Sequence, residues 1–542
     1  MRLIESQSEQ KLRGGFYTPK PIADFVLKWA FNGAEDYDIL EPSSGSGVFL
    51  QQIKENSYNY NSITAVEIDG REAAKAENIP LKNKAVLKMD FHRFCNNSEK
   101  KYDLVVGNPP YIRYQYFDRE QQIEAEKIFK RMNLKYSKLT NAWVSFVIGA
   151  SLLLKTTGKI GFVLPAEILQ VSYAAPVREF LSGFYNKINI VSFKKLVFPQ
   201  IQQEVVLLLC EKNPSQSHLI EHIELEDMEC LNKTDISLLK HPAKKIDFKS
   251  NKWTFYFLNQ KEIDFLEEVS NRDIIPSIGD FAAVEVGITT GANAFFTVTH
   301  STVEQFSLHD YVGPLVGRSV QVNSLKFTKD DWVQNINSDS RGYLLIFPPI
   351  NQLKKNERAM RYLDEGIKEN IHKGYKCRIR DEWQQVPSLW ISDALFIRRN
   401  NYYPKLIINE ARAYTTDTMH RVRIKEHIDA HALAAGFYNS LSFAFAEISG
   451  RSYGGGVLEL MPSEVEKIRL PYKETNASLL EEIDSMMRRK FPISKILEYT
   501  NTIILKHGYG FTEADIKIAD SIWQKLSSRR LNRSKNHNFS KV

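Results

Sequence analysis

Short apolar runs, each cut off by a glycine, an acid or a proline, recur through the first part of this chain. Ile39-Leu40, Ile63 to Val66, Ala85 to Leu87 and Tyr102 to Val106 are too short for helices and rich in large or β-branched residues. They predict buried strands. The first is followed by a small-residue loop, Glu41-Pro42-Ser43-Ser44-Gly45-Ser46-Gly47, and then by Val48-Phe49-Leu50, a helix start. Strands joined through helices predict an α/β domain built on an open sheet. Two later runs, Gly161 to Pro165 and Val205 to Leu209, add strands to it. A lysine-rich, weakly patterned connection follows, roughly residues 231–252, and from about Trp253 the chain reads as mixed strand and helix. Residues 477–526 show helical periodicity broken at Phe491-Pro492 and His507-Gly508, which predicts a small helical closing unit. No internal repeat or low-complexity tract interrupts this order.

A chain of 542 residues exceeds one ordinary domain. The expected division is 1–240, 241–475 and a helical 476–542. With 43% hydrophobic and 25% charged residues, no apolar run of membrane-spanning length and a polar N-terminus, a soluble cytoplasmic protein is expected, with no membrane partner. Cys95, Cys210, Cys230 and Cys377 stand far apart, so neither a disulfide scaffold nor a structural zinc is expected. His427 and His431 are four apart, but Ile428 stands where a zinc protease needs Glu, and no metal is expected. The net charge is +7, and from Pro471 onward thirteen Lys and Arg face eight Asp and Glu. That tail, ending in Arg529, Arg530, Arg533 and Lys535, reads equally as a phosphate contact or as a solvated terminus.

The chemistry is concentrated at strand ends. Asn108-Pro109-Pro110-Tyr111 follows the strand ending in Gly107, on the side where open α/β sheets place their ligands. Asn108 supplies an amide oxygen, and Pro109 a backbone carbonyl aimed by its fixed ring. Two such oxygens can accept both hydrogens of a planar amino group, and Tyr111 offers a face for a ring to stack on. These residues suit methylation of an exocyclic or amide nitrogen. The loop of Glu41, Ser43 and Gly45 lacks the third glycine of a dinucleotide fingerprint and the GK[ST] of a phosphate loop. Its carboxylate favours a cationic ligand such as S-adenosyl-L-methionine. Glu67-Ile68 lies about twenty residues further on, at the distance that suits a ribose-binding acid, and Asp90-Phe91 ends the third run, where a carboxylate and a ring could hold adenine.

Together these residues resemble the gamma class of adenine-N6 DNA methyltransferases of bacterial restriction-modification systems. Gly15-Phe16-Tyr17-Thr18-Pro19 is similar to that class's N-terminal cofactor motif, and EPSSGSG, VEID, MDF and NPPY follow in family order. Gly161 to Pro165 resembles a later strand of the catalytic domain, and Val197-Phe198-Pro199-Gln200 its last motif. The resemblance implies a Rossmann-like methyltransferase domain with a mixed seven-stranded sheet, followed by a mixed α+β DNA-recognition domain and a small helical C-terminal unit. It implies that Tyr17, Thr18, Glu41, Ser43, Gly45, Glu67, Ile68, Asp90, Phe91, Asn108 and Pro110 hold S-adenosyl-L-methionine. Asn108 and Pro109, with Pro110 fixing the turn, would hold the amine, while Tyr111 and Phe198 clamp an adenine flipped out of double-stranded DNA. A cognate restriction endonuclease acting on the same sequence would be a partner, and one monomer would suffice. Binding to the nucleoid would follow from binding DNA.

In the second half, Val286 to Asn293 reads as an early loop, while Asn439-Ser440 and Arg451 to Leu460 resemble segments of recognition domains attached to this class. Gly454-Gly455-Gly456 reads as a tight turn or as a close approach to phosphate. The run His372-Lys373-Gly374-Tyr375-Lys376-Cys377-Arg378-Ile379-Arg380 reads as a DNA contact or a solvated face. Arg412 and Tyr414 are weaker DNA-contact candidates. The alternative reading is a methyltransferase acting on RNA or on a protein glutamine amide. A non-catalytic specificity subunit would have lost site residues, which this chain keeps, and a fused nuclease would need a segment with no room here.

Overall fold

In the computed structural model, residues 18–31, 36–112, 116–136, 141–195, 197, 204–213, 218–234, 244–245, 252–271, 275–452 and 456–535 are described. The chain forms two compact units that divide between Gln260 and Lys261.

The first unit is built on one mixed sheet. Its strands are β1 (Asp38–Glu41), β2 (Ser62–Glu67), β3 (Lys84–Lys88), β4 (Tyr102–Gly107), β5 (Leu154–Pro165), β6 (Lys187–Phe193), β7 (Val205–Glu211), β8 (Leu219–Leu225) and β9 (Lys244–Lys245). They lie in the order β3-β2-β1-β4-β5-β7-β6-β8-β9. The first five are parallel, and β7 runs antiparallel between β5 and β6. The expected seven strands are present, and the sheet then continues for two more. β8 pairs in parallel with β6, and β9 antiparallel with β8. The sequence hid them because β8 is half-buried and interleaves Glu and His among its apolar residues, while β9 is two lysines long.

The strands with the most continuous apolar sequence, β4, β6 and β7, are buried almost end to end, as strands covered on both faces should be. Helices α1 (Lys20–Ala30) and α2 (Val48–Glu55) supply Ile22, Val26, Phe49, Leu50 and Ile53 to the core on one face. The connection from β1 through α2 leads outward to β2 and β3, whereas β4 sits on the opposite side of β1. The sheet order therefore reverses between β1 and β4, and a crevice opens beyond their carboxyl ends.

The second unit is α+β. Ala282–Val286, Met419–Ile424, Ala394–Ile397 and Leu406–Ile408 form one four-stranded sheet. Thr297–Val298, Tyr343–Leu345, Val312–Val316 and Tyr414–Thr415 form another, and three two-residue strands form a third. The helical end is part of this unit. Helix Leu479–Arg488 places the Asp484 carboxylate on the Leu325 and Lys326 amides, both at 3.0 Å. The helix breaks at Pro492 and Gly508 fall as expected. Arg530 departs from its reading as tail. It lies inside helix Glu513–Lys535, is 2% exposed, and pairs with the equally buried Glu447 at 2.7 Å. It also donates to the carbonyls of Asn401, Tyr402 and Gly456, so it is not available to a phosphate.

Candidate active site

The NPPY loop leaves β4 at Gly107, whose last ladder partner is Phe162 of β5. A side chain at Gly107 would come within 3.4 Å of the Pro42 ring, so the β1 and β4 loops approach closely there. That approach is bonded. Ser43 donates its hydroxyl to the Asn108 carbonyl at 3.1 Å, tying the small-residue loop to the first residue of NPPY. Asn108 is half-buried, with its side-chain oxygen inside. Beyond the last β4–β5 pair, Tyr111 donates its hydroxyl to the Val163 carbonyl at 2.9 Å. The phenol so held is buried, which pushes its pKa well up and keeps it a neutral donor. Its ring packs at the edge of the main core.

Glu41 and Glu67 end adjacent strands, β1 and β2, and both reach the crevice. Glu41 is 2% exposed, and its Oε2 has no hydrogen-bond partner among the described residues. Burial, and then the charge of Glu67, raise its pKa well above the carboxylate range. Glu67 is raised by burial as well, against the pull of the Asp69, Gly45 and Ile68 amides. It accepts from Gly45 N–H and Asp69 N–H, both at 2.8 Å. Gly45 adopts φ +51°, and a side chain there would meet nothing within 4 Å, so the loop faces open space. Gly47 differs, since at φ +87° a side chain would come within 2.6 Å of Ile79. It is needed for packing rather than for ligand approach. Ser44 is buried with its hydroxyl unpartnered among the described residues. Ile68, immediately after Glu67, is 55% exposed, an apolar surface open to a planar ring.

After α3 (Gly70–Glu77), Asp90 caps the short helix α4 (Phe91–Asn97), its carboxylate accepting from the Arg93 amide at 3.1 Å. Burial alone would raise its pKa, but bonds from His92, Arg93 N–H and Gln121 outweigh it and hold the carboxyl below its usual range. His92 is fully buried, 2.7 Å from the Ser145 hydroxyl and 3.3 Å from Asp90, and Gln121 donates to Asp90 at 3.2 Å. None of these supports was singled out from sequence. They lie on separate helices, and their only local sign was the position of His92 beside Asp90. The Phe91 ring is 2% exposed and stacks on Phe146 at 4.7 Å, so its side chain belongs to the core. Thr18 is buried just ahead of α1. Pro109 is buried and Pro110 half-buried within the loop. Tyr17 and Phe198 lie outside the described residues.

A buried and a half-buried carboxyl group, both with raised pKa, an unpartnered buried hydroxyl among the described residues and an open glycine loop at a sheet's switch point suit a cationic small molecule, which would favour their ionised forms. Similarity to known proteins agrees. Residues 43–198 match the Eco57I restriction-modification methylase family, and residues 250–505 match the C-terminal domain of the Type II methyltransferase M.Eco57I. The Type II methyltransferase M.AccI of Acinetobacter calcoaceticus is 25% identical over 85% of this chain and 86% of its own length. M.XamI of Xanthomonas campestris pv. amaranthicola is 22% identical over 85% of each chain. Among solved structures, the cryo-EM DrdV–DNA complex superposes with a TM-score of 0.53 at 12% identity, covering 98% of this chain and 70% of that one. These matches identify a methyltransferase whose cofactor is S-adenosyl-L-methionine. Over both matched stretches the chain is similar to the Eco57I-like Type II restriction-modification methyltransferases.

Proposed function

We propose that this protein methylates the N6 amino group of an adenine flipped out of a short duplex sequence, and so protects that sequence from a cognate endonuclease. The observation that carries the reading is the Ser43–Asn108 bond, which fixes the amine-binding loop against the cofactor crevice. Similarity to the Eco57I-like methyltransferases supports DNA as the acceptor.

In this reading Glu41 and Ser44 face the charged and polar parts of the cofactor, and Glu67 offers its remaining lone pairs to ribose hydroxyls. Exposed Ile68 covers one face of the cofactor's purine, and Asp90 accepts from its amino group. Phe91, with its ring in the core, contributes its backbone N–H, one of the first-turn amides that an α-helix leaves unsatisfied. Bound S-adenosyl-L-methionine supplies the electrophilic methyl group. Asn108 Oδ1 and the Pro109 carbonyl accept the two amino hydrogens of the target and draw its nitrogen lone pair out of conjugation. Both oxygens also stabilise the positive charge that develops on that nitrogen. Tyr111 stacks on the base, contributing about 1–3 kcal/mol toward the few kcal/mol that flipping costs. Phe198 is assigned the opposite face by resemblance.

The test is transfer of labelled methyl groups to duplex DNA, RNA and protein in parallel, with nucleoside analysis of the product. N6-methyladenine in the duplex alone is expected. Label confined to RNA or protein would overturn the reading. So would methylation of the duplex at a base other than adenine.

A further inference from the structure

The basic, aromatic run of the second unit folds into a rigid display. The turn Tyr375–Arg378 is anchored from beneath. Cys377 is buried, and Arg380 donates to the Thr290 carbonyl at 2.6 Å and to the Thr289 and Trp383 carbonyls at 3.2 Å. Gly291 lets the underlying loop close in, since a side chain there would come within 2.7 Å of Lys376 Cβ. On the outside the turn presents Lys373, Tyr375, Lys376, Arg378 and Ile379, all exposed. Tyr375 is 65% and Ile379 59% exposed, although a chain gains by burying such side chains. They are four apart, so they fall on the same side of the turn. Among the described residues none of Lys373, Lys376 and Arg378 is in an ion pair, and residues 372–380 contain no acid.

Cations outside any ion pair among the described residues, beside an exposed ring and an exposed aliphatic side chain, match a polyanion that also has apolar edges. We propose that this turn is a duplex-DNA docking surface. Lys373, Lys376 and Arg378 contact backbone phosphates, while Tyr375 and Ile379 press against sugar and base edges in a groove. The proposal rests on the reading of duplex DNA as substrate and locates part of the grip on it.

The two kinds of contact have different signatures. Each phosphate contact contributes about 0.9 to the slope of log K against log salt, whereas an apolar contact contributes nothing to it. A Lys376→Gln/Arg378→Gln double variant is therefore expected to lower the slope by about 2 for a mixed-sequence duplex. Tyr375→Ala is expected to weaken binding roughly 10-fold with the slope unchanged, because only apolar contact is lost. Both variants should keep wild-type melting temperatures and wild-type cofactor affinity, because the replaced side chains are exposed. A wild type that binds and methylates duplex DNA, with both variants matching its affinity and slope, would overturn this proposal alone. A wild type with no affinity for duplex would overturn the functional reading along with it.

Discussion

Replacing Tyr111 by phenylalanine removes one oxygen and tests how the target ring is held. The hydroxyl bond to the Val163 carbonyl, 2.9 Å long, ties the end of the NPPY loop to β5. A neutral hydrogen bond contributes about 0.5–1.5 kcal/mol, and a buried carbonyl left without its donor costs about 1–3 kcal/mol. Taking 1–2 kcal/mol as the cost of positioning the ring, Tyr111→Phe should lower kcat/KM for DNA roughly 5- to 30-fold. Tyr111→Ala also loses the stack on the base and should lose about a further 5- to 150-fold. The assay is steady-state methyl transfer to duplex DNA, with cofactor affinity measured separately by calorimetry. Cofactor affinity should be unchanged in Tyr111→Phe, because Glu67 is held by the Gly45 and Asp69 amides and not by this hydroxyl. Burial keeps the phenol neutral, so the pH profile of the variant should parallel that of the wild type. Wild-type kcat/KM in Tyr111→Phe would refute the tether. A loss as large as that of Tyr111→Ala would show that the hydroxyl meets the substrate itself.

Three further outcomes follow from the site and from the second unit. Glu41 has a folded pKa raised by burial and by Glu67, so the cofactor-free protein holds a proton that the unfolded chain has lost, and stability falls as pH rises from the ordinary carboxylate range through the raised value. A cationic cofactor favours the ionised form, so its affinity should rise over that same window with release of a proton. Glu41→Gln should abolish the rise, as calorimetry in two buffers of different ionisation enthalpy would detect, and a wild-type affinity independent of pH would contradict the assignment. Ser43→Ala removes the bond to the Asn108 carbonyl and should reduce kcat about 2- to 13-fold, equivalent to 0.5–1.5 kcal/mol, with little change in stability; single-turnover kinetics would measure it, and an unaltered rate would count against coupling of the loops. Arg530→Met leaves the Glu447 carboxylate buried and alone, and should cost about 3–5 kcal/mol of stability in denaturant unfolding; a loss under 1 kcal/mol would mean that the pair is more hydrated than its burial implies.

The strand-end chemistry was legible because it is local. An acid, a glycine or an Asn-Pro-Pro-Tyr directly after an apolar run keeps its place whatever packs above it, so the strand-end positions of Glu41, Glu67 and Asn108 are legible from the runs before them. Contacts that join distant segments were not legible. Tyr111 reads as a ring for stacking, and nothing near it in sequence announces Val163. Asp90 reads as a ligand, but its orientation depends on Gln121 and His92, the latter braced by Ser145 from another helix. Phe91 looked available to adenine because a ring beside a strand-end acid often is, and the Phe146 ring that receives it is on a separate helix. Arg530 looked like part of a solvated tail, since its buried partner Glu447 stands far back in the chain. The two extra strands escaped notice for the opposite reason, because their own patterns are too polar or too short to stand out.

The central claim is that Asn108 holds the amino group of an adenine during transfer. The direct measurement is to incubate wild type and Asn108→Ala with S-adenosyl-L-methionine and unmethylated genomic DNA, and to map modified bases by single-molecule sequencing. The account predicts N6-methyladenine at one short recurring sequence with the wild type and none with the variant, while both bind cofactor alike. Methylation by Asn108→Ala at the wild-type level, or modification by the wild type without any N6-methyladenine, would contradict it.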